Sequence, residues 1–252
     1  MPQECTVKVA PNASARRLYA EAKRRFNLGP EKDYKSGVEL LKRAAALNHI
    51  GAHVWLGAAY DYGLGTRRNR RVAFEHYRTA AEAQDPNAQY HVGVFYYEGT
   101  GVKRDYASAV VWFQRAARQG DADAMHVLGR CFRYAQGVRK DPQKGFQLHL
   151  KAAQKGVLEG QFSVGVCLSR GEGVAPDPEQ AFKWFLRAAR RGHDEAAHNV
   201  ALFYETGRGV PQNKKRADFW YGRAEALAAS SGWGSIGGGR GGRNGASRRL
   251  KG

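Results

Sequence analysis

Small and apolar residues recur along this chain in a helical rhythm that is broken and resumed at regular intervals. Between Ala88 and Tyr96 they fall four apart, at Ala88, Val92 and Tyr96, along one face of a helix. The run Glu98-Gly99-Thr100-Gly101-Val102 then interrupts the pattern, and its glycines supply the backbone freedom a tight turn needs. Past Asp105, a side chain suited to a helix N-cap, apolar positions resume at three- and four-residue steps: Ala109, Trp112, Phe113, Ala116 and Ala117. Gly120 closes the unit as a residue fit for a left-handed helix end. The pattern predicts helix, turn, helix, turn.

This unit repeats every 36 residues without an insertion. Alanine pairs stand at 44–45, 80–81, 116–117, 152–153 and 188–189. Glycines keep the same step at Gly65, Gly101, Gly137, Gly173 and Gly209, and again at Gly57, Gly93, Gly129 and Gly165. A fixed period of this length is the signature of a repeat solenoid, so the expected fold class is all-α, an α-solenoid of antiparallel helix pairs. Aligned copies place first helices near 14–26, 50–62, 86–98, 122–134, 158–170 and 194–206. Their partners fall near 34–47, 70–83, 105–119, 141–155, 177–191 and 213–228. The end pairs drift, with Glu21 where others have glycine and Glu225 where others have alanine, as capping repeats do. The glycine and alanine columns let helices approach. Two large columns are expected to fill the space between them: Tyr60, Tyr96, Phe132, Leu168 and Tyr204, and Trp112, Leu148, Trp184 and Trp220. The expected organisation is a flexible N-terminus over 1–13, a repeat domain of about six helix pairs over 14–228, and a disordered Gly/Arg-rich tail over 229–252.

Composition adds a charge to this frame. The formal net charge is +18, and five of the cations lie in the last 23 residues, which hold no acid. Such a balance points to an acidic partner: nucleic acid, an anionic surface or an acidic protein. No apolar run approaches the roughly 18 residues of a membrane span, and the N-terminus lacks the apolar core of a secretory signal. A cytoplasmic location is expected, with the early cluster of Arg16, Arg17, Lys23, Arg24 and Arg25 also compatible with mitochondrial import. Three cysteines make no disulfide framework. Cys131 and Cys167 occupy equivalent positions of adjacent repeats, and helices about 8–10 Å apart exceed disulfide reach, so both read as small buried apolar residues.

The repeated string A-x-x-x-L-G-x-x-Y-x-x-G-x-G-V, then A-x-x-W/Y-x-x-x-A-A-x-x-G, resembles the Sel-one-like repeat, a relative of the tetratricopeptide repeat. It is carried by Ala124–Gly156, Ala196–Gly209 and residues 88–102, and the likeness spans about 34–228. The resemblance implies a right-handed superhelix that serves as a protein-interaction scaffold or adaptor. A cysteine-rich branch of the family is associated with penicillin binding and β-lactamase activity. This chain lacks the cysteines of that branch, and the activity is not carried over.

Candidate chemistry is sparse. His49 and His53, and His193 and His198, lack the three or four convergent ligands of a metal site, and the histidines read as surface residues. The G-x-G-x-x-G string from Gly232 follows no strand and opens no helix. No catalytic residue, cofactor or metal is expected, and the chain is read as no enzyme. The positions that ride on the period but refuse to repeat carry the functional expectation. By the resemblance, first helices line a concave groove, which would offer Trp55, Tyr90, His91, Tyr97, His126, Arg133, Phe162 and His198 to a protein partner, an acidic or extended segment. The alternative is RNA or a ribonucleoprotein. It would be met by basic turns carrying Arg67, Arg68, Arg70, Arg71, Lys103, Arg104, Arg139 and Lys140, and by tail residues Arg240, Arg243, Arg248 and Arg249.

Overall fold

The computed structural model describes residues 13–27 and 33–230, and among these the chain forms twelve helices and no strand. It divides into two compact units, Met1–Pro176 and Asp177–Gly252. The first unit contains α1 (Ala13–Phe26), α2 (Tyr34–Ala46), α3 (Ile50–Tyr62), α4 (Arg70–Glu82), α5 (Pro86–Glu98), α6 (Tyr106–Arg118), α7 (Ala122–Tyr134), α8 (Pro142–Gln154) and α9 (Leu158–Arg170). The second contains α10 (Pro178–Arg190), α11 (Asp194–Thr206) and α12 (Lys214–Ser230). Every expected helix is present, with ends displaced by two residues at most. Ala13 opens α1 and Ser230 ends α12; the rest of both expected termini, with Arg240, Arg243, Arg248 and Arg249, lies outside the described residues.

Side-chain caps fix where helices start. Asp33, Asn69, Asp105, Asp141 and Asp177 stand one period apart, and each accepts from a first-turn N–H at 2.9–3.1 Å. The first helices α5 and α7 begin in the same way, on Asp85 and Asp121. His49 and His193 cap α3 and α11 through Nδ1, each accepting at 3.3 Å from Ala52 and Ala196 respectively. Their spacing therefore reflects helix starts.

The glycine after each first helix explains the tightness of the turn. A Cβ at Gly137 would lie 2.2 Å from the Tyr106 carbonyl, and one at Gly173 would lie 2.1 Å from that of Pro142. Gly65 and Gly209 make the same approach to Tyr34 and Pro178. Each turn thus rests its backbone on the first residue of the preceding second helix. No side chain fits there.

The core departs from the expectation in both of the large columns. The rings packed on Gly57, Gly93 and Gly129 belong to Tyr77, Phe113 and His149, all 1% exposed or less, with a hypothetical Cβ 2.6–2.9 Å from ring atoms. Trp112, Trp184 and Trp220 are instead only half-buried, and Arg115, Arg187 and Arg223 one turn on lie over their rings at 4.5, 5.5 and 5.8 Å. The tryptophan column is the edge of the core, shielded by guanidinium. Phe132, Leu168 and Tyr204 are buried as expected, whereas Tyr60 and Tyr96 are half-buried. Cys131 and Cys167 are buried free thiols, and burial pushes the Cys131 thiol up to about 11.

Candidate partner-binding face

The first-helix positions that vary between repeats do not share one environment. Trp55 on α3 is 7% exposed, packed edge-on against Phe26 with centroids 5.2 Å apart. At the next register along, Tyr90 on α5 is half-buried at 6.0 Å from the Phe113 ring, and His91 beside it stacks on Tyr77 at 4.4 Å. His126 on α7 is buried against His149 with centroids 5.1 Å apart. Phe162 on α9 returns to half-exposure. In the second unit His198 is exposed, with its ring 5.2 Å from that of Tyr221.

Tyr97 and Arg133 hold a different kind of position, because both reach the turn of the following repeat. The Tyr97 hydroxyl donates to Gln136 Oε1 at 2.8 Å, and Arg130 donates to the same hydroxyl at 3.4 Å. One period on, buried Arg133 donates from Nε to Glu172 Oε2. That hydrogen bond, ahead of the opposing desolvation, holds the Glu172 carboxyl below the usual range. These two side chains tie consecutive repeats together. In the same way, the buried side chains of Gln89 and Gln161 donate to the carbonyls of Ala81 and Ala153 at 3.2 and 3.3 Å.

The basic turns are exposed at Arg67, Arg68, Arg70, Arg71, Lys103, Arg104, Arg139 and Lys140. Some of these cations have structural partners. Arg68 donates to the Asp61 carbonyl at 2.7 Å and Arg104 to that of Glu98 at 3.2 Å, each covering the C-terminal end of the preceding helix. In the second unit Gln212 does this for Glu205 at 2.7 Å. Arg70 pairs with Asp61 at 3.4 Å. An open cleft of about 360 Å³ lies at the first basic turn, lined by Tyr60, Thr66, Arg67, Arg68 and Asn69.

Several histidines depart from the expectation that they lie on the surface, although His198 meets it. His149 is fully buried, and among the described residues neither ring nitrogen has a hydrogen-bond partner. Burial first, then the charges of Arg133 and Arg130, push it down to about 3. His53 and His76 are half-buried and face one another. Spacing hides this, because His76 stands in the column of Trp112, Leu148, Trp184 and Trp220, and His149 in that of Tyr77 and Phe113. The findable signal is that Tyr77, Phe113 and His149 each follow a glycine of the Gly57 column at the same offset. Among the described residues no three His, Cys, Asp or Glu side chains converge as a metal cluster, and no helix is long and apolar enough to cross a membrane.

With the interlocking period and its glycine contacts established, the comparisons decide the family. The Sel1 repeat matches at 14–49, 50–85, 86–121, 122–157, 158–193 and 194–228. The chain belongs to the Sel1 repeat family. Proteins of this family are generally protein-interaction scaffolds. A Sel1 repeat protein from Oxalobacter formigenes is 32% identical, with a TM-score of 0.78 over 86% of this chain and 88% of its own. A protective antigen of uropathogenic Escherichia coli strains, displaying an SLR fold, is 29% identical with a TM-score of 0.79. That likeness covers 85% of this chain, which spans only 46% of the antigen. An immunity protein from Pseudomonas aeruginosa shares the fold alone, at 21% identity and a TM-score of 0.57 over 88% of this chain and 84% of its own. No curated protein matches the chain.

Proposed function

We propose that this Sel1 repeat chain is a non-enzymatic scaffold that holds an extended, acidic segment of a protein partner along the variable face of its first helices. The supporting observation is the half-exposure of Tyr90 and Phe162 at one register of α5 and α9, beside half-buried His91 and Tyr97. These residues change from repeat to repeat, while Gly65, Gly101, Gly137, Gly173 and Gly209, which seat the turns, do not. A ring already held on one side adds contact area at little entropic cost, which is why aromatic residues dominate interface hot spots. In this reading Trp55, His126 and Arg133 are supports beneath the face, and the net charge of +18 selects an acidic segment. The test is capture of the partner with the full chain, followed by affinity measurement on Tyr90→Ala with Phe162→Ala. A loss of about 100-fold is expected, since hot-spot truncations cost roughly 2 kcal/mol each before non-additivity. Unchanged affinity with unchanged helicity ends this assignment.

A second reading is favoured by the exposure of Arg67, Arg71, Lys103, Arg139 and Lys140 at three successive turns. It is an RNA-associated scaffold that contacts phosphate. Binding would then fall steeply with salt and on reversing the Lys103, Arg139 and Lys140 charges. Salt-insensitive or absent binding sinks it.

A further inference from the structure

Two departures from the period meet on α3 and α4. Where α5 and α9 carry Gln89 and Gln161, α3 carries His53; where α6 and α8 carry Trp112 and Leu148, α4 carries His76. The Nδ1 atoms of His53 and His76 lie 3.1 Å apart, with ring centroids separated by 5.2 Å and planes inclined at 51°. Each ring is held by something else. The Ala45 carbonyl favours a proton on the His53 ring, at the position from which Gln89 and Gln161 donate to Ala81 and Ala153 in other repeats. Tyr60 stacks on His76 with centroids 5.7 Å apart and planes 12° from parallel.

These constraints prepare the imidazoles for a cation. A carbonyl that takes the N–H of one ring nitrogen leaves the other as a lone-pair donor, and this arrangement supports histidine ligands in metal sites. Burial first, then the facing His53, pushes His76 down to about 4, and burial likewise lowers His53. A tetrahedral ion at 2.0–2.1 Å from two nitrogens separates them by about 3.3 Å. The observed 3.1 Å needs only a small opening.

We propose that His53 and His76 form a two-imidazole site for a divalent transition metal ion, zinc, nickel or copper, with water completing its coordination. With two protein ligands the site discriminates by intrinsic affinity, so copper(II) binds most tightly.

The experiment is a calorimetric titration of the untagged full chain with copper(II), nickel(II) and zinc(II) salts, repeated on His53→Gln and His76→Leu. Both substitutions place a residue that other repeats of this chain carry at the equivalent position, Gln89 and Gln161 for one and Leu148 for the other, so the repeat is expected to accept them. One equivalent is expected to bind the native chain. Affinity is expected to fall at least about tenfold in either variant, since loss of even outer-shell support costs about 10–100-fold. Metal should also raise the native Tm by more than that of either variant at the same concentration. If His76→Leu unfolds, His76→Trp, copied from Trp112, replaces it. No binding to the native chain overturns the proposal and leaves the pair as an imidazole–imidazole hydrogen bond. Binding of equal strength in both variants overturns it too, because the ion then sits on other histidines.

Discussion

The repeats at 86–121 and 122–157 use one backbone plan and fill it differently. In the first, Phe113 packs on Gly93; in the second, His149 packs on Gly129 in the same hole, fully buried. The first ties itself to its successor through a neutral hydrogen bond, Tyr97 to Gln136, and the second through an ion pair, Arg133 to Glu172. The first ends α5 on Gly99 at φ +71°, whereas the second ends α7 on Ala135 at φ +58°, in the left-handed region. The plan tolerates titratable and strained substitutes wherever shape and hydrogen-bond direction survive. It tolerates none where backbone touches backbone.

The largest expected effect tests that last boundary. Gly137→Ala would set a methyl 2.2 Å from the Tyr106 carbonyl, and should destabilise by about 3 kcal/mol or more from overpacking plus left-handed strain. Gly101→Ala, whose nearest neighbour would be Arg70 at 2.9 Å, should cost distinctly less. Urea midpoints give both, and equal losses would mean that the turns are not held by this contact.

Next comes the ring in the hole. His149 is held down to about 3 in the folded chain, against an ordinary histidine value of about 6.5. Between those values the unfolded chain binds the proton and the folded chain does not, so stability falls as pH drops from about 6.5 towards 3. His149→Phe copies the neighbouring repeat. It should gain about 2 kcal/mol over the native chain between neutral pH and pH 5. Parallel pH profiles for the two proteins would show that His149 is not what separates the repeats.

The smallest effect lies at the helix end. Ala135→Gly relieves the left-handed strain at φ +58° and should stabilise by about 0.5–1 kcal/mol, read as a rise in Tm. A fall in Tm would place the difference between the repeats elsewhere.

Much of this architecture was legible in the residues. The period gave every helix, and Asp105 announced a cap that the structure repeats at Asp33, Asn69, Asp141 and Asp177. Depth was harder to read. Trp112 looks more like core than His149 does, yet the tryptophan stands at the rim with Arg115 over it, and the histidine is enclosed. Residue type reports the cost of burial, while column geometry decides who is buried, and a column mixing Tyr, Phe and His disguises its own depth. The candidate face was legible only as a set of variable positions. Which of them are tied to the next repeat follows from neighbours a whole repeat away, such as Gln136 for half-buried Tyr97 and Glu172 for buried Arg133.

The contact of Gly65, Gly101, Gly137 and Gly173 with the start of the preceding second helix has a consequence for how this chain can change. Each turn is measured against the repeat before it, like a tooth seated in a gear. An added residue would lift the glycine from its seat and drive a side chain into a carbonyl. Length is thereby policed locally, at every step, and the spacing cannot drift even as the residues on the variable face are rewritten.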